Sequence, residues 1–94
     1  MHTRNIRAHV YVKGHVQGVY FRQNTKDFAG QHSVTGWVRN LADGSVEAVL
    51  EGNQTNVREV VEWCHKGPAN AKVENVIIAY ELYSGEFQDF RISY

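Results

Sequence analysis

The spacing of hydrophobic residues changes several times along the chain, and each change predicts a new element of secondary structure. In the first predicted strand, Ile6 and Val10 belong to an apolar set that alternates with polar residues such as Arg7, as in a half-buried strand. Elsewhere, apolar residues recur every three or four positions, which is typical of a helix with one buried face. The predicted elements are a strand at about 5–13, a helix at about 21–31, strands at about 33–40 and 45–51, a helix at about 55–65, a strand at about 73–83 and a short final strand within 87–94.

Turn residues mark the boundaries between these elements. Asp43-Gly44 is typical of a hairpin loop and predicts that the second and third strands pair antiparallel. The order βαββαβ with a terminal strand predicts one α+β domain over residues 1–94, a two-layer ferredoxin-like sandwich with two helices on one face of an antiparallel sheet. The other sheet face is expected to meet solvent and to carry Tyr11, Trp37 and several charges.

The second predicted helix has a clear buried stripe. Its apolar positions are Val57, Val60, Val61 and Cys64. We therefore expect the single cysteine, Cys64, to be a core thiol rather than a nucleophile, since it shares the register of three valines. Asn53 begins a possible glycosylation sequon, but at this place it more simply predicts an N-cap of the helix.

Composition and charge narrow the possible functions. The formal net charge of the 94 residues is zero, which argues against a nucleic-acid binder that acts through a broad basic surface. No apolar run reaches the length of a membrane span, and the first five residues lack the hydrophobic segment of a signal peptide. With its single cysteine, the chain is expected to be cytoplasmic and without disulfides or Cys-x-x-Cys chemistry.

The stretch at residues 14–22, Gly-His-Val-Gln-Gly-Val-Tyr-Phe-Arg, is the best candidate for a functional site. It joins the end of a strand to the start of a helix, where backbone N–H groups and the helix dipole favour an anion. Arg22 falls in the first helical turn, so its guanidinium can lean back toward the same place and bind a tetrahedral oxyanion bidentately. Alone, the pattern is equally typical of a tight βα turn followed by a surface charge. It matches neither the nucleotide P-loop nor the dinucleotide-binding motif.

A second stretch distinguishes these interpretations. Residues 36–46, Gly-Trp-Val-Arg-Asn-Leu-Ala-Asp-Gly-Ser-Val, are predicted to form a strand, a loop and a returning strand. Together with residues 14–22, this stretch strongly resembles the acylphosphatase family. The resemblance is detailed from about residue 10 to residue 52 and continues in outline through Trp63, Gly67-Pro68 and residues 90–92. Two long motifs in the right order and separation are far more specific than either motif alone.

The resemblance implies a hydrolase that converts an acyl phosphate into a carboxylate and inorganic phosphate, without metal or cofactor. Its partners would be this small molecule and the phosphate product. Charge and hydropathy predict neither a nucleic acid nor a membrane as partner, and a monomer is the default expectation where the sequence does not determine the oligomeric state. No Asp/Glu cluster suggests a magnesium site, and the histidines have no ligand spacing. The histidines are His2, His9, His15, His32 and His65.

The resemblance also assigns roles to particular residues. The family's catalytic arginine corresponds to Arg22 and its asparagine to Asn40. Arg22 would bind the phosphoryl group together with a backbone phosphate-binding loop, and Asn40 would orient the attacking water. At His15 the sequence departs from the family, whose members more often carry arginine or lysine there, and histidine can lose its charge near neutral pH. The loop residues implied are His15, Val16, Gln17, Gly18 and Val19.

Three other functions fit parts of the sequence. The same loop could bind phosphate in a non-catalytic or regulatory module. Tyr11 and Trp37 could form a stacking platform for single-stranded RNA, although aromatic residues that cover cross-strand neighbours are the simpler interpretation. The chain also resembles the domain at the start of larger hydrogenase-maturation proteins, and its length of 94 residues is expected to argue against that context.

Overall fold

The computed structural model describes residues 4–94, so His2 and the rest of the first three residues lie outside it. All seven predicted elements are present, and the ends of the first six lie within two residues of the predicted ones. The final strand is predicted somewhere within residues 87–94, and it occupies only three of these residues. The elements are β1 (Asn5–His15), α1 (Phe21–Gln31), β2 (Thr35–Asn40), β3 (Val46–Asn53), α2 (Gln54–Lys66), β4 (Lys72–Glu81) and β5 (Phe90–Ile92).

The sheet has five strands in the order β4-β1-β3-β2-β5. Strand β1 pairs antiparallel with both β3 and β4, and β2 pairs antiparallel with β3. The short β5 runs parallel to β2 and forms one edge of the sheet. This interleaved order is the ferredoxin-like α+β sandwich that the sequence predicts.

The core lies between the sheet and the two helices. Alternate residues of β1, β2 and β3 point into it, including Val10, Val38 and Leu50, and all three are fully buried. The four positions predicted for the inner stripe of α2 are likewise buried. Cys64 is among them, and burial raises the pKa of its thiol to about 12, which confirms the prediction of an inert core thiol.

The predicted cap of α2 is also confirmed. Asn53 occupies the N-cap position, and its side-chain oxygen accepts a hydrogen bond of 2.9 Å from the backbone N–H of Thr55. At the other end, Gly67 closes the helix, and its backbone N–H donates to the carbonyl of Trp63 over 2.7 Å. Between these ends, Trp63 packs its ring against Phe21, with the ring centroids 5.4 Å apart, and so joins the two helices.

The prediction that the second sheet face meets solvent is wrong at its centre. Glu47 is 5% exposed, and Val49 and Glu51 are fully buried, although all three point away from the helices. The chain between β4 and β5 lies against this face: Ser84 and Gly85 bond to Glu51 there. No pattern in the sequence predicts this cover, because the residues between the last two predicted strands, 84–86, show neither the alternation of a strand nor the spacing of a helix.

The Glu51 carboxylate holds this segment in place. It accepts hydrogen bonds from the backbone N–H of Ser84 (2.9 Å), the hydroxyl of Ser84 (3.0 Å) and the backbone N–H of Gly85 (3.1 Å). Arg7 adds an ion pair at 3.4 Å. A buried carboxylate is tolerated only when its charge and its lone pairs are satisfied, and these four contacts satisfy them.

The aromatic residues of the second face cover their neighbours. The rings of His9 and Tyr11 stack with centroids 4.9 Å apart, and the rings of His9 and Trp37 are nearly perpendicular, with centroids 6.3 Å apart. His9 Nε2 lies 2.6 Å from Glu47, which also accepts a 2.6 Å bond from Arg39. Burial raises the pKa of Glu47, but these hydrogen bonds outweigh burial and bring it below its ordinary value. The arrangement favours cross-strand packing over an RNA platform.

The Glu51 anchor leads to a stability prediction. Glu51→Gln should lower the free energy of unfolding by about 1–3 kcal/mol, the range found when a buried donor loses its acceptor. The amide nitrogen of glutamine replaces one carboxylate oxygen and cannot accept, so either the two bonds from Ser84 or the bond from Gly85 is lost. Arg7 keeps its ion pairs with Glu81 and Glu86. Urea unfolding at neutral pH measures the change.

Glu59→Gln is the matched control, because Glu59 is exposed on α2 and forms no ion pair within residues 4–94. It should change the free energy of unfolding by less than about 0.5 kcal/mol. Equal stability of the two variants would contradict the anchoring role of Glu51.

Candidate active site

Strand β1 continues two residues beyond its predicted end, through Gly14 and His15. Both residues pair with β4, and a bulge between Lys13 and Gly14 shifts the register. Gly14 has φ of +130°, and a β-carbon there would collide with the carbonyl oxygen of Lys72. A glycine is therefore required for the two strands to approach each other at this point. Consequently, the loop that joins β1 to α1 contains only residues 16–20, which we call the cradle loop.

The cradle loop turns the chain sharply into α1. Gly18 and Tyr20 both have left-handed backbones, with φ of +76° and +64°. For Tyr20 this conformation costs about 1–2 kcal/mol, because its β-carbon crowds the following carbonyl. Asn24 offsets part of this cost, since its side chain and its backbone N–H both donate to the carbonyl of Tyr20, over 2.8 and 3.0 Å.

The backbone N–H groups of the cradle loop are left without protein acceptors. Within residues 4–94, none of the five N–H groups of residues 16–20 donates to a backbone or side-chain oxygen. Tyr20 is the N-cap of α1 and provides no side-chain cap, so the N–H groups of the first helical turn are also available. Such a set of donors, next to the positive end of a helix dipole, suits an anion.

Asn40 is the last residue of β2 and is followed by a tight turn at residues 41–45, which we call the β2–β3 turn. The backbone N–H of Leu41 donates to the carbonyl of Ser45 over 2.8 Å and closes the turn. Asp43 accepts hydrogen bonds from both the hydroxyl and the backbone N–H of Ser45, and these bonds lower the pKa of Asp43. The predicted Asp43-Gly44 hairpin is confirmed, and its bonding gives Asn40 a well-defined position.

The side chain of Gln17 connects the cradle loop to the β2–β3 turn. Its amide nitrogen donates to the carbonyl of Leu41 over 2.8 Å and to that of Ser45 over 2.9 Å. The side chain therefore points into the turn, and both of its amide hydrogens are used there.

A cavity of about 360 Å³ opens between the cradle loop, the start of α1 and the ends of β2 and β5. It brings together four of the predicted site residues: Val16, Gly18, Arg22 and Asn40. The others do not line it. His15 is the exposed last residue of β1, Val19 is 8% exposed and packs into the core, and Gln17 bonds to the turn. The full lining is Val16, Gly18, Tyr20, Phe21, Arg22, Gln23, Asn40, Ile92 and Tyr94.

Arg22 is the cationic residue of this cavity. Its guanidinium carbon lies 5.2 Å from the centre of the Tyr94 ring, a cation–π contact. Within the described part of the chain, it forms no ion pair and donates no hydrogen bond to a side chain or carbonyl. Its N–H groups are therefore open to an anion in the cavity.

Sequence reasoning missed the contribution of the C-terminal segment. Ile92 and Tyr94 line the cavity because β5 pairs with β2 in a register that places Val38 opposite Ile92. The alternation of Phe90 and Ile92 predicts a strand, but alternation does not identify the partner strand. Tyr20 was missed for a different reason, since an exposed aromatic residue in a loop has no periodic signal.

The part of the chain that the structure describes contains neither a cluster that could hold a metal ion nor a helix that could span a membrane. In residues 4–94, no group of three or more His, Cys, Asp and Glu side chains is arranged to hold a metal ion. Neither helix of this region has both the length and the apolar character needed to cross a bilayer.

Comparisons with known proteins agree with the sequence motifs. The family model for acylphosphatase matches residues 8–92. An acylphosphatase of Pyrobaculum islandicum is 57% identical over 89 residues, which cover 94% of each chain. Solved acylphosphatase structures from Coxiella burnetii and Bacillus subtilis superpose with TM-scores of 0.90 and 0.91, at 37% and 30% identity, over 95% of this chain and 93% and 99% of theirs. With a family model and curated relatives that match most of its length, this chain belongs to the acylphosphatase family.

Proposed function

We propose that this protein hydrolyses an acyl phosphate to a carboxylate and inorganic phosphate, with the phosphoryl group held by the cradle loop and Arg22 and the water positioned by Asn40. The reaction class follows from the family. The observation that carries the residue roles is the shared cavity, in which Arg22 and Asn40 face the same space as Val16 and Gly18.

The phosphoryl group needs donors that match its oxygens. In the proposal, the backbone N–H groups of the cradle loop and of His15, which precedes it, are donors held in fixed positions, and Arg22 contributes a charged planar fork. The loop and the helix already hold these donors in place, so little free energy is spent on reorganising them during the reaction. They can therefore stabilise charge as it redistributes over the phosphoryl oxygens. His15, Gln17 and Val19 would act through their backbone rather than through their side chains.

Asn40 is proposed to orient the attacking water. Its amide can both accept a hydrogen bond from the water and donate one to a phosphoryl oxygen, and it does not titrate. Its place at the end of β2, fixed by the β2–β3 turn, lets it hold the water beside a phosphoryl group in the cradle loop. Because the water is already held beside the phosphorus atom, the reaction avoids the entropy cost of bringing the two together.

The proposal needs neither a metal ion nor a general base. The carboxylate released from an acyl phosphate is a good leaving group, so positioning and charge stabilisation can suffice. A phosphoryl oxygen of the substrate would take the proton of the water. The O–P bond to the acyl oxygen breaks, and the new P–O bond to water yields inorganic phosphate.

Two alternative functions of this protein would use the same phosphate-binding site. A regulatory module would bind phosphate in the cradle loop without turning over a substrate, and the assays below distinguish it. In a larger hydrogenase-maturation protein, this chain would form only a small domain. This chain covers 94% of the length of the relative from Pyrobaculum islandicum.

We also propose that the protein acts in the cytoplasm as a monomer on a small molecule. The buried, unpaired thiol of Cys64 supports a reducing compartment. The neutral net charge supports a small substrate rather than a nucleic acid.

Arg22→Gln should weaken phosphate binding and turnover together, because it removes the charged fork and leaves the backbone donors. We expect the inhibition constant of inorganic phosphate to rise by about 10-fold or more, as for the loss of a hydrogen-bonded charge. The rate of benzoyl phosphate hydrolysis, followed by ultraviolet absorbance with phosphate as inhibitor, measures both effects.

Arg58→Gln is the matched control for this variant, since Arg58 is exposed on α2, away from the cavity lining. It should behave as the unaltered protein does. If inorganic phosphate inhibits Arg22→Gln as strongly as it inhibits the control, Arg22 does not contact the phosphoryl group.

Asn40→Ala should lower kcat by about 100-fold or more, as for other lost positioning groups, while the unfolding midpoint and phosphate affinity change little. The assay contains EDTA, so it also tests the proposed independence from metal ions. The exposed Asn75 of β4 supplies the control variant Asn75→Ala, which should retain full activity.

The results separate the functions. Rapid hydrolysis in EDTA that is lost in Asn40→Ala and retained in Asn75→Ala supports the proposal. No hydrolysis by the unaltered protein, with phosphate still bound, would leave a binding module. Normal kcat in Asn40→Ala would remove Asn40 from the reaction.

A further inference from the structure

The two halves of the proposed site come from separate parts of the chain. The phosphate donors lie in the cradle loop and α1, whereas Asn40 lies at the end of β2. In-line attack on phosphorus requires the water and the phosphoryl group to keep one distance and one direction. An error of about 1 Å can cost two orders of magnitude in rate. Some contact must therefore fix one half of the site relative to the other.

Gln17 provides a direct side-chain link between the two halves. It lies in the middle of the cradle loop, between Val16 and Gly18, which both line the cavity. Its amide donates to the carbonyl of Leu41, the residue next to Asn40, and to that of Ser45 at the other end of the β2–β3 turn. One planar amide group makes both hydrogen bonds, to Leu41 and to Ser45. Each bond therefore limits rotation of the loop about the other bond.

The two hydrogen bonds of the Gln17 amide lie in a partly buried environment. Ser45 is 4% exposed and Gln17 is half-buried, so water competes weakly for the two carbonyls. The turn itself is closed by the bond from Leu41 to Ser45. The side chain of Gln17 thus ends on a rigid acceptor, while its backbone belongs to a loop whose own N–H groups have no partner among residues 4–94.

We propose that Gln17 is a positioning residue that sets the cradle loop at a fixed distance from Asn40. This inference rests on the proposed function, since it assigns the alignment of phosphate and water to the Gln17 amide. It gives the side chain a role separate from the backbone N–H of the same residue, which belongs to the phosphate cradle.

Gln17→Met is the first test, because methionine has nearly the same length but no hydrogen-bond donor. We expect kcat for benzoyl phosphate to fall by about 10-fold or more. The inhibition constant of inorganic phosphate should stay within about 3-fold, since the phosphate donors remain within the loop. Gln31→Met, at the exposed end of α1, is the control and should change neither value.

A double-mutant cycle separates positioning from a general loss of structure. If Gln17 acts by aligning the cradle loop with Asn40, its removal should matter little once Asn40 is gone. We expect Gln17→Met to cost less than about 3-fold when added to Asn40→Ala, against 10-fold or more alone. Losses that multiply would show that Gln17 acts independently of Asn40 and would overturn the inference.

Gln17→Glu is a second variant that tests the same inference if Gln17→Met fails to fold. It has the size and shape of glutamine, but its carboxylate would face two carbonyl oxygens without a donor at neutral pH. It should show the same loss in kcat with an unfolding transition that remains cooperative in urea. Full activity in either folded variant would overturn the inference, whereas a lack of activity in the unaltered protein would overturn the proposed function instead.

Discussion

The cradle loop can leave its backbone donors unpaired only because contacts elsewhere hold it in position. A loop whose N–H groups have no protein acceptor gets no stability from bonds of its own backbone, so other contacts must define its conformation. Here the constraint comes from three sides. Gly14 ties the end of β1 to β4, Asn24 holds the strained carbonyl of Tyr20, and Gln17 bonds to the β2–β3 turn. The loop is thereby kept open toward an anion, which is the condition for the proposed chemistry.

The second face of the sheet contributes to the site indirectly. Glu51 fixes Ser84 and Gly85, and so directs the chain across the sheet toward β5. From β5 the chain continues to Tyr94, whose ring lies against the guanidinium of Arg22. The buried carboxylate is thus part of the path that brings the C-terminal segment to the cavity, even though Glu51 lies on the face of the sheet away from the helices.

Local patterns predicted most of the fold but not its long-range contacts. The valines of α2 and the cap at Asn53 follow from spacing and side-chain chemistry within a few residues. Arg22 and Asn40 were found through motifs that resemble a family. The cover over Glu51 and the place of Tyr94 were not predicted, because they depend on partners remote in sequence: Ser84 lies 33 residues from Glu51. The bonds of Gln17 span 24 and 28 residues, and a glutamine in a loop gives no local sign of them.

The central claim is that the backbone N–H groups of the cradle loop bind the phosphoryl group together with Arg22. The most direct measurement is a titration of the ¹⁵N-labelled protein with inorganic phosphate, followed by amide NMR spectra and compared with sodium chloride at equal ionic strength. The account predicts saturable shifts in the amide signals of residues 16–20 and in the side-chain Nε–H signal of Arg22. Saturable binding that leaves these signals unchanged, with shifts elsewhere, would contradict it.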